Sequence, residues 1–318
     1  MKIILAPMDG LTDFYVRNLL TSLGGYDLCI TEFLRVTNSV FPQRVFFQNC
    51  PEIDPRYLLN GATQSNVPVH MQLLGNDEGF LAANAHKAST LGVRGVDINF
   101  GCPSKTVNNH GSGAILLEQP EKVFRIMREV RQALPESKPL SAKMRLGYKN
   151  SNLALENALA IQEAGADFLT VHARTKLDGY RPPAKWQEVA VLVEQLHIPV
   201  VVNGEIWSVE DYQQCFATSG CEDVMLGRGA FALPDLARQI KQFSHNQPVS
   251  EQAWCEVKTM LHRFYQLMLE DEIISEKHIS GRLKLWLKWL TASYDEANHV
   301  LQQVKTLREH QQIIGYLN

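Results

Sequence analysis

Eight short β-rich runs alternate with amphipathic stretches along the first three-quarters of the chain, and no other feature constrains the fold as much. They are IILAPM from Ile3, LCITEF from Leu28, VHMQLLG from Val69, VDINFG from Val96, LSAKMRLG from Leu140, FLTVHART from Phe168, VVVNGEI from Val200 and DVMLGRG from Asp223. Strands separated by helices pair in parallel through right-handed crossovers. Eight such units within about 250 residues predict an α/β fold of the (β/α)8 TIM-barrel type. The helix cues agree: NLALENALAIQEAGA predicts a helix capped by Asn152 and stopped at Gly165.

After Phe243 the pattern changes. SHNQPVSEQ is polar, and the chain from Ala253 onward reads as helix without a further strand. This predicts a barrel domain over residues 1–243 and a small all-helical C-terminal domain over residues 244–318, of about three or four helices. SGR at Ser280 and ASYDEA at Ala292 are candidate breaks or caps. A chain of 318 residues with 45% hydrophobic and 20% charged residues suits a globular enzyme. The first apolar run is cut short by Pro7 and Asp9, too early for a secretory or membrane segment, so a cytoplasmic location is expected. Six cysteines without a C-x-x-C pair, and no cluster at zinc spacing, argue against a disulfide framework or a metal site. The formal net charge of -3 does not announce a nucleic-acid partner, although a local basic patch can still supply phosphate contacts.

In a TIM barrel the reacting groups gather at the C-terminal ends of the strands. In chain order those ends deliver Pro7, Met8, Asp9 and Gly10; Glu32 and Arg35; Gln72; Asn99 and Cys102; Lys143 and Arg145; His172, Arg174 and Thr175; Asn203, Gly204 and Glu205; Gly227, Arg228 and Gly229. Glycines after the last two strands let the backbone approach an anion, so NGEIW and GRGAF read as a phosphate cradle or, more plainly, as tight turns. Lys143 and Arg145 share one strand face and need partners inside a barrel. Those partners are either Glu32 or Glu205 in an ion pair, or a flavin whose reduced ring a cation stabilises while Gln72 and Asn203 hydrogen-bond it. His172 is either a core histidine or a ligand contact. Cys102, between Gly101 and Pro103, is either an inert buried thiol or a reacting group. With an ordinary pKa of about 8.5 it keeps its proton at neutral pH and suits a proton donor. The glycines of NNHGSGA then suggest a mobile cap.

In the tail, KHISGRLKLWLK has no acidic residue. As a helix it puts Ile279, Leu283, Trp286, Leu287 and Leu290 on one face, Lys277, Lys284 and Lys288 on one flank, and Arg282 with Trp289 on the other. That pattern suits either a solvated helix or a surface for phosphates and a stacked base.

Taken together and in order, APMDG, ITEF, QLLG, DINFGCPSKTV, KMRLG, VHART, NGEI and GRG resemble the signatures of the tRNA-dihydrouridine synthases. ITEFLRV, NGEIW and GRLKLWLKWL are most similar to the bacterial C-type enzymes, which act on uridine 16 of the tRNA D-loop. The resemblance implies FMN and NADPH, a hydride passing from FMN N5 to uracil C6, and a proton passing from Cys102 to C5. It implies cofactor contacts from Pro7, Met8, Asp9, Gln72, Lys143, His172, Asn203, Gly204, Glu205, Gly227 and Arg228. It also implies tRNA contacts from Arg35, Asn99, Arg145, Tyr180, Arg282, Lys284, Trp289 and Lys305. A monomeric chain without a metal is expected. Two other readings share the barrel: an FMN-dependent dehydrogenase of a free dihydropyrimidine or dihydroorotate, which leaves the basic helix unexplained, and a non-catalytic RNA-binding protein, which would be colourless.

Overall fold

The computed structural model describes residues 1–270 and 275–317. They form two compact units, the first comprising Met1–Phe14, Tyr26–Ile206 and Glu210–Gly227, the second Tyr15–Gly25, Trp207–Val209 and the chain from Arg228.

The first unit is the barrel. Its strands are β1 (Ile3–Leu5), β2 (Leu28–Ile30), β3 (Leu34–Arg35), β4 (Val69–Leu74), β5 (Gly95–Phe100), β6 (Leu140–Gly147), β7 (Phe168–Thr175), β8 (Val200–Asn203) and β9 (Val224–Leu226). Every pairing between them is parallel. β1 pairs with both β2 and β9, and β2 pairs with β4, so the sheet closes on itself. The two-residue β3 also lies along β4, so β2 and β3 together fill one of eight positions around the barrel.

The sequence accounts for the closure. Strands buried on both sides need near-continuous apolar runs, and β1, β4, β5 and β9 are buried along their whole length. Ile4, Ala6, Leu28, Ile30, Val201 and Met225 pack as one cluster with Met8 and Phe168 against it. Helices such as Glu78–Thr90 and the strongly amphipathic Pro120–Ala133 supply the outer layer. The first is capped by the Asp77 carboxylate, which accepts the Phe80 N–H at 2.9 Å, and the second starts on a proline. The helix expected after Asn152 runs Ala154–Glu163, and Asn152 does not cap it. Leu153 occupies the cap position and offers no side-chain bond, while Asn152 donates its N–H to Asn150. Gly165, at φ 95°, ends the turn after that helix as expected.

The second unit is helical. Its tail contains helices Trp254–Leu269, Glu276–Leu290, Asp295–Val304 and His310–Gly315. Trp286 is its anchor: the indole sits 4.8 Å from the Phe264 ring and 5.2 Å from the Phe231 ring, and its N–H reaches the Phe231 carbonyl at 3.2 Å. The predicted stripe of Ile279, Leu283, Trp286, Leu287 and Leu290 is buried. Ser280-Gly281 does not break the helix, because the Ser280 hydroxyl donates to Glu276 and Arg308 carbonyls and ties the turn down. The pause at Ala292 does separate two helices. Gly25 is required by close approach: at φ 91°, a Cβ there would lie 2.4 Å from the Ala237 backbone.

Candidate active site

Cys102 leaves the end of β5 in a loop whose first N–H groups are held by Asn99. Asn99 Oδ1 accepts the N–H of Gly101 at 2.8 Å and that of Cys102 at 2.9 Å. The thiol is 8% exposed and packs with Leu74, Val107 and Phe33. Burial pushes its pKa above the ordinary thiol value. Asp9 acts in the same sense, while a backbone bond at Ser104 and the charges of Arg145 and Arg35 pull it down. The sulfur therefore carries its proton at neutral pH.

Below the thiol, the segment read as a mobile cap is a packed brace. It forms a short helix, Lys105–Asn109, followed by a 3-10 turn, Gly113–Glu118. Asn108 donates to the carbonyls of Cys102 and Ser104 and accepts the Ile115 N–H. Gly113, at φ 72°, lies so close that a Cβ would meet the Cys102 carbonyl at 2.9 Å. Gly113 serves contact with the thiol loop, whereas a Cβ at Gly111 would meet Asn76 Nδ2 at 3.1 Å.

Arg145 holds the same loop from β6. Its Nε reaches the Gly101 carbonyl at 2.9 Å, and Nη1 reaches the carbonyls of Thr175 and Gly179, both at 3.0 Å. Its guanidinium carbon stands 5.3 Å from the ring centroid of Tyr180, which is exposed, and that ring in turn meets the His172 ring edge-on at 6.1 Å. Arg145 is thus largely committed to backbone carbonyls. Arg35, at the end of β3, is half-buried.

Deeper in the barrel, Lys143 Nζ donates to Asn203 Oδ1 at 3.0 Å, and Asn203 Nδ2 donates to the Met225 carbonyl at 2.8 Å. Burial lowers the Lys143 pKa from 10.5 to about 8, Arg145 adds to the fall, and Asp97 opposes it. Among the described residues Lys143 has no carboxylate ion pair. Glu205, one proposed partner, pairs instead with Arg174, a fully buried arginine on β7. Glu32, the other, accepts the Leu11 N–H at 3.0 Å. The ammonium keeps donors beyond its one amide bond, which suits an electron-rich ring.

Gln72 lies on β4 beside Asp97 of β5 and is fully buried. Gly204, at φ 114°, presents bare backbone: a Cβ would fall 3.1 Å from the His172 ring and 3.3 Å from Arg174 Nη1. Its carbonyl is pinned by the Trp186 indole N–H at 3.0 Å. After β1, Pro7 and Met8 are half-buried and Asp9 is exposed, in a turn where Met8 accepts the N–H groups of Leu11 and Thr12. Gly227 would bring a Cβ within 3.4 Å of the Met8 sulfur. A cation, two amides, a histidine and a glycine cradle in one barrel could hold a flavin, so the donor set fits the expected group. In the helical unit, Arg228 opens helix Arg228–Ala232 with its guanidinium carbon 5.1 Å from the Trp207 ring centroid.

The basic flank of the tail divides. Lys277, Lys288 and Lys305 are exposed, and Lys305 reaches Gln302 Oε1 at 2.5 Å. Lys284 is half-buried and donates to the Leu307 carbonyl at 2.9 Å. Arg282 turns inward, buried 5.6 Å from the Phe264 ring centroid, so it does not share an open flank with Trp289. Trp289 is half-buried, with its indole N–H making no hydrogen bond.

Sequence reasoning missed three partners: the Arg174–Glu205 ion pair, the Asn108 brace, and Asp97, which lies inside the cysteine motif but is bonded by Gln72 and Ser141 from other strands. No sequence signal links such distant positions. Among the described residues no group of three or more His, Cys, Asp or Glu side chains is placed to hold a metal ion, and no helix is long and apolar enough to cross a membrane.

Known proteins similar to this chain agree on the family. Residues 4–314 match the model of the dihydrouridine synthase (Dus) family. A tRNA-dihydrouridine(16) synthase of Neisseria meningitidis is 45% identical over all of this chain and 94% of its own length. Those of Shewanella oneidensis and Haemophilus influenzae are 41% and 42% identical, again over the whole chain, and are covered to 97% and 99%. Among solved structures, 2-naphthoyl-CoA reductase superposes with a TM-score of 0.58 at 10% identity, over 78% of this chain and 50% of that one. The old yellow enzyme homologue of Zymomonas mobilis gives 0.52 at 12%, over 79% and 90%. At that identity the two structures speak for the barrel fold alone. With nearly its whole length matched by the family model, the chain belongs to the dihydrouridine synthase family.

Proposed function

We propose that this chain is a cytoplasmic enzyme that reduces uridine 16 of the tRNA D-loop to 5,6-dihydrouridine, with FMN as bound carrier and NADPH as reductant. The observation that carries this reading is a protonated thiol, Cys102, fixed by its own backbone N–H at the end of a barrel strand, within the same barrel as a lysine, two amides and a histidine suited to a flavin. The family and the names of the relatives support the substrate.

FMN, when bound and reduced, would supply the hydride for C6 of the uracil. Cys102 gives its Sγ proton to C5, the C5=C6 double bond becomes a single bond, and the thiolate regains a proton from solvent. Lys143 and His172, with Gln72 and Asn203, would hold the ring, Pro7, Met8, Asp9, Gly204, Glu205 and Gly227 would shape its bed, and the family resemblance assigns the phosphate to Arg228. Exposed Tyr180 offers an aromatic face to the target base, and Arg35 with Asn99 and Arg145 frames it. Residues 244–318 form the tRNA-binding domain, with Lys284, Lys288 and Lys305 supplying phosphate contacts, Trp289 a stacking surface, and Arg282 holding the helix that carries them.

The test is to map dihydrouridine at each D-loop position in tRNA from a strain lacking this chain and from the same strain complemented with it. Loss confined to position 16 and restored on complementation is the expected result. Unchanged tRNA, or loss at another position, overturns the assignment.

A further inference from the structure

Resting on the reading of Cys102 as proton donor, we infer that Asp97, on β5, is a positioning residue that aims this thiol by fixing the direction of a chain of side-chain amides. Asp97 is fully buried. Its two oxygens are bonded separately: Oδ1 accepts the Ser141 hydroxyl at 2.6 Å, and Oδ2 accepts Gln72 Nε2 at 2.7 Å. Gln72 Oε1 then accepts Asn99 Nδ2 at 2.8 Å. This leaves Asn99 Oδ1 facing the N–H groups of Gly101 and Cys102.

The direction follows from chemistry at both ends. Backbone N–H groups only donate, so the Asn99 oxygen must face the loop and its NH2 must face Gln72. Gln72 must then turn its oxygen to Asn99 and its NH2 to residue 97. An acceptor at that place satisfies every member. A residue without one leaves the Gln72 NH2 buried and unpaired, frees both amides to rotate, and releases the two N–H bonds that hold the cysteine turn. The backbone N–H of Gln72 is itself held by Thr31 Oγ1 at 3.0 Å, so the strand stays fixed while the amide alone loses its direction. Burial raises the Asp97 pKa to about 6, so the site tolerates a neutral group as long as an oxygen faces Gln72.

Asp97→Ala removes the acceptor. Asp97→Asn keeps one, turning its oxygen to Gln72 and its NH2 to the Ser141 hydroxyl. The FMN-reconstituted protein is assayed with an unmodified tRNA transcript in deuterated water, and the configuration of deuterium at C5 is read. Asp97→Ala is expected to oxidise its reduced flavin with tRNA about 100-fold more slowly, the scale of a misplaced catalytic group. It should also scramble the C5 deuterium between the two faces and alkylate more rapidly at Cys102 in the flavin-free protein. Asp97→Asn is expected to stay within about threefold of wild type with deuterium on one face. If Asp97→Ala keeps rate and stereochemistry, or if folded Asp97→Asn is as slow as Cys102→Ala, the positioning role is overturned. Failure of wild type itself to make dihydrouridine, or full activity in Cys102→Ala, would instead overturn the reading on which this one rests.

Discussion

A neutral histidine buried in the barrel wall makes a pH-dependent prediction with a definite sign. His70 of β4 is closed in by Gly95, where a Cβ would fall 2.4 Å from its Nε2, and its Nδ1 makes no hydrogen bond. Burial pulls its pKa from 6.5 to about 4, and the charges of Lys138 and Lys2 act in the same direction. Between those values the unfolded chain binds a proton that the folded barrel refuses, so stability is lost as pH falls from 6.5 to about 4. At about 1.36 kcal/mol per pH unit the loss is about 3 kcal/mol. Asp97 has the opposite slope: its pKa rises from 3.8 to about 6 by burial, against the opposing bonds of Ser141 and Gln72 and the charge of Lys143. The folded barrel keeps this proton where the unfolded chain has released it, so about 3 kcal/mol is lost as pH rises across that window. Between about pH 4 and pH 6 the two slopes nearly cancel in the wild-type chain. His70→Gln removes one of them. Measured by urea unfolding from about pH 7 to about pH 4.5, its stability relative to wild type should rise by about 2–3 kcal/mol as the pH falls. Asp97→Asn should gain relative to wild type in the other direction, as the pH rises. Wild-type and His70→Gln curves that run parallel would refute the argument.

Further outcomes follow from single contacts. Glu205→Gln leaves the Arg174 charge buried without its counter-ion and should cost about 3–5 kcal/mol, read as a lower melting temperature; pairing it with Arg174→Met should recover part of that loss. Lys288→Ala removes an exposed cation and should lower the slope of log affinity against log salt for tRNA by up to about one, with melting temperature and NADPH reduction of flavin unchanged. Lys284→Ala should weaken tRNA binding as well, but it also loses the bond to Leu307 and should melt earlier.

The barrel was legible because its strands are long apolar runs ended by polar residues, a pattern that survives without knowledge of any contact. The cysteine loop was legible for a similar local reason, since Gly101 and Pro103 mark a turn whatever lies beside it. The failed Asn152 cap is local, where Leu153 takes the cap position, but the other misreadings depend on contacts across the chain. Ser280 and Gly281 looked like a break, yet the Arg308 carbonyl holds that turn in helix. Arg282 looked like a flank residue, yet Phe264 from another helix offers its ring to the guanidinium. The glycines after Asn109 suggested a mobile cap, yet Gly113 is a contact point against Cys102. Asp97 was hidden because its partners are 25 and 44 residues away on neighbouring strands, and only barrel register brings them to its two oxygens.

The central claim, that Cys102 delivers the proton, is tested most directly by single-turnover oxidation. The wild-type and Cys102→Ala proteins, each loaded with FMN and reduced with NADPH, are mixed with an unmodified tRNA transcript, and the return of oxidised flavin absorbance is followed. Equal flavin content and equal NADPH reduction rates are expected, with oxidation by tRNA slower in the variant by about two orders of magnitude or more. Oxidation of the Cys102→Ala protein at the wild-type rate would contradict it.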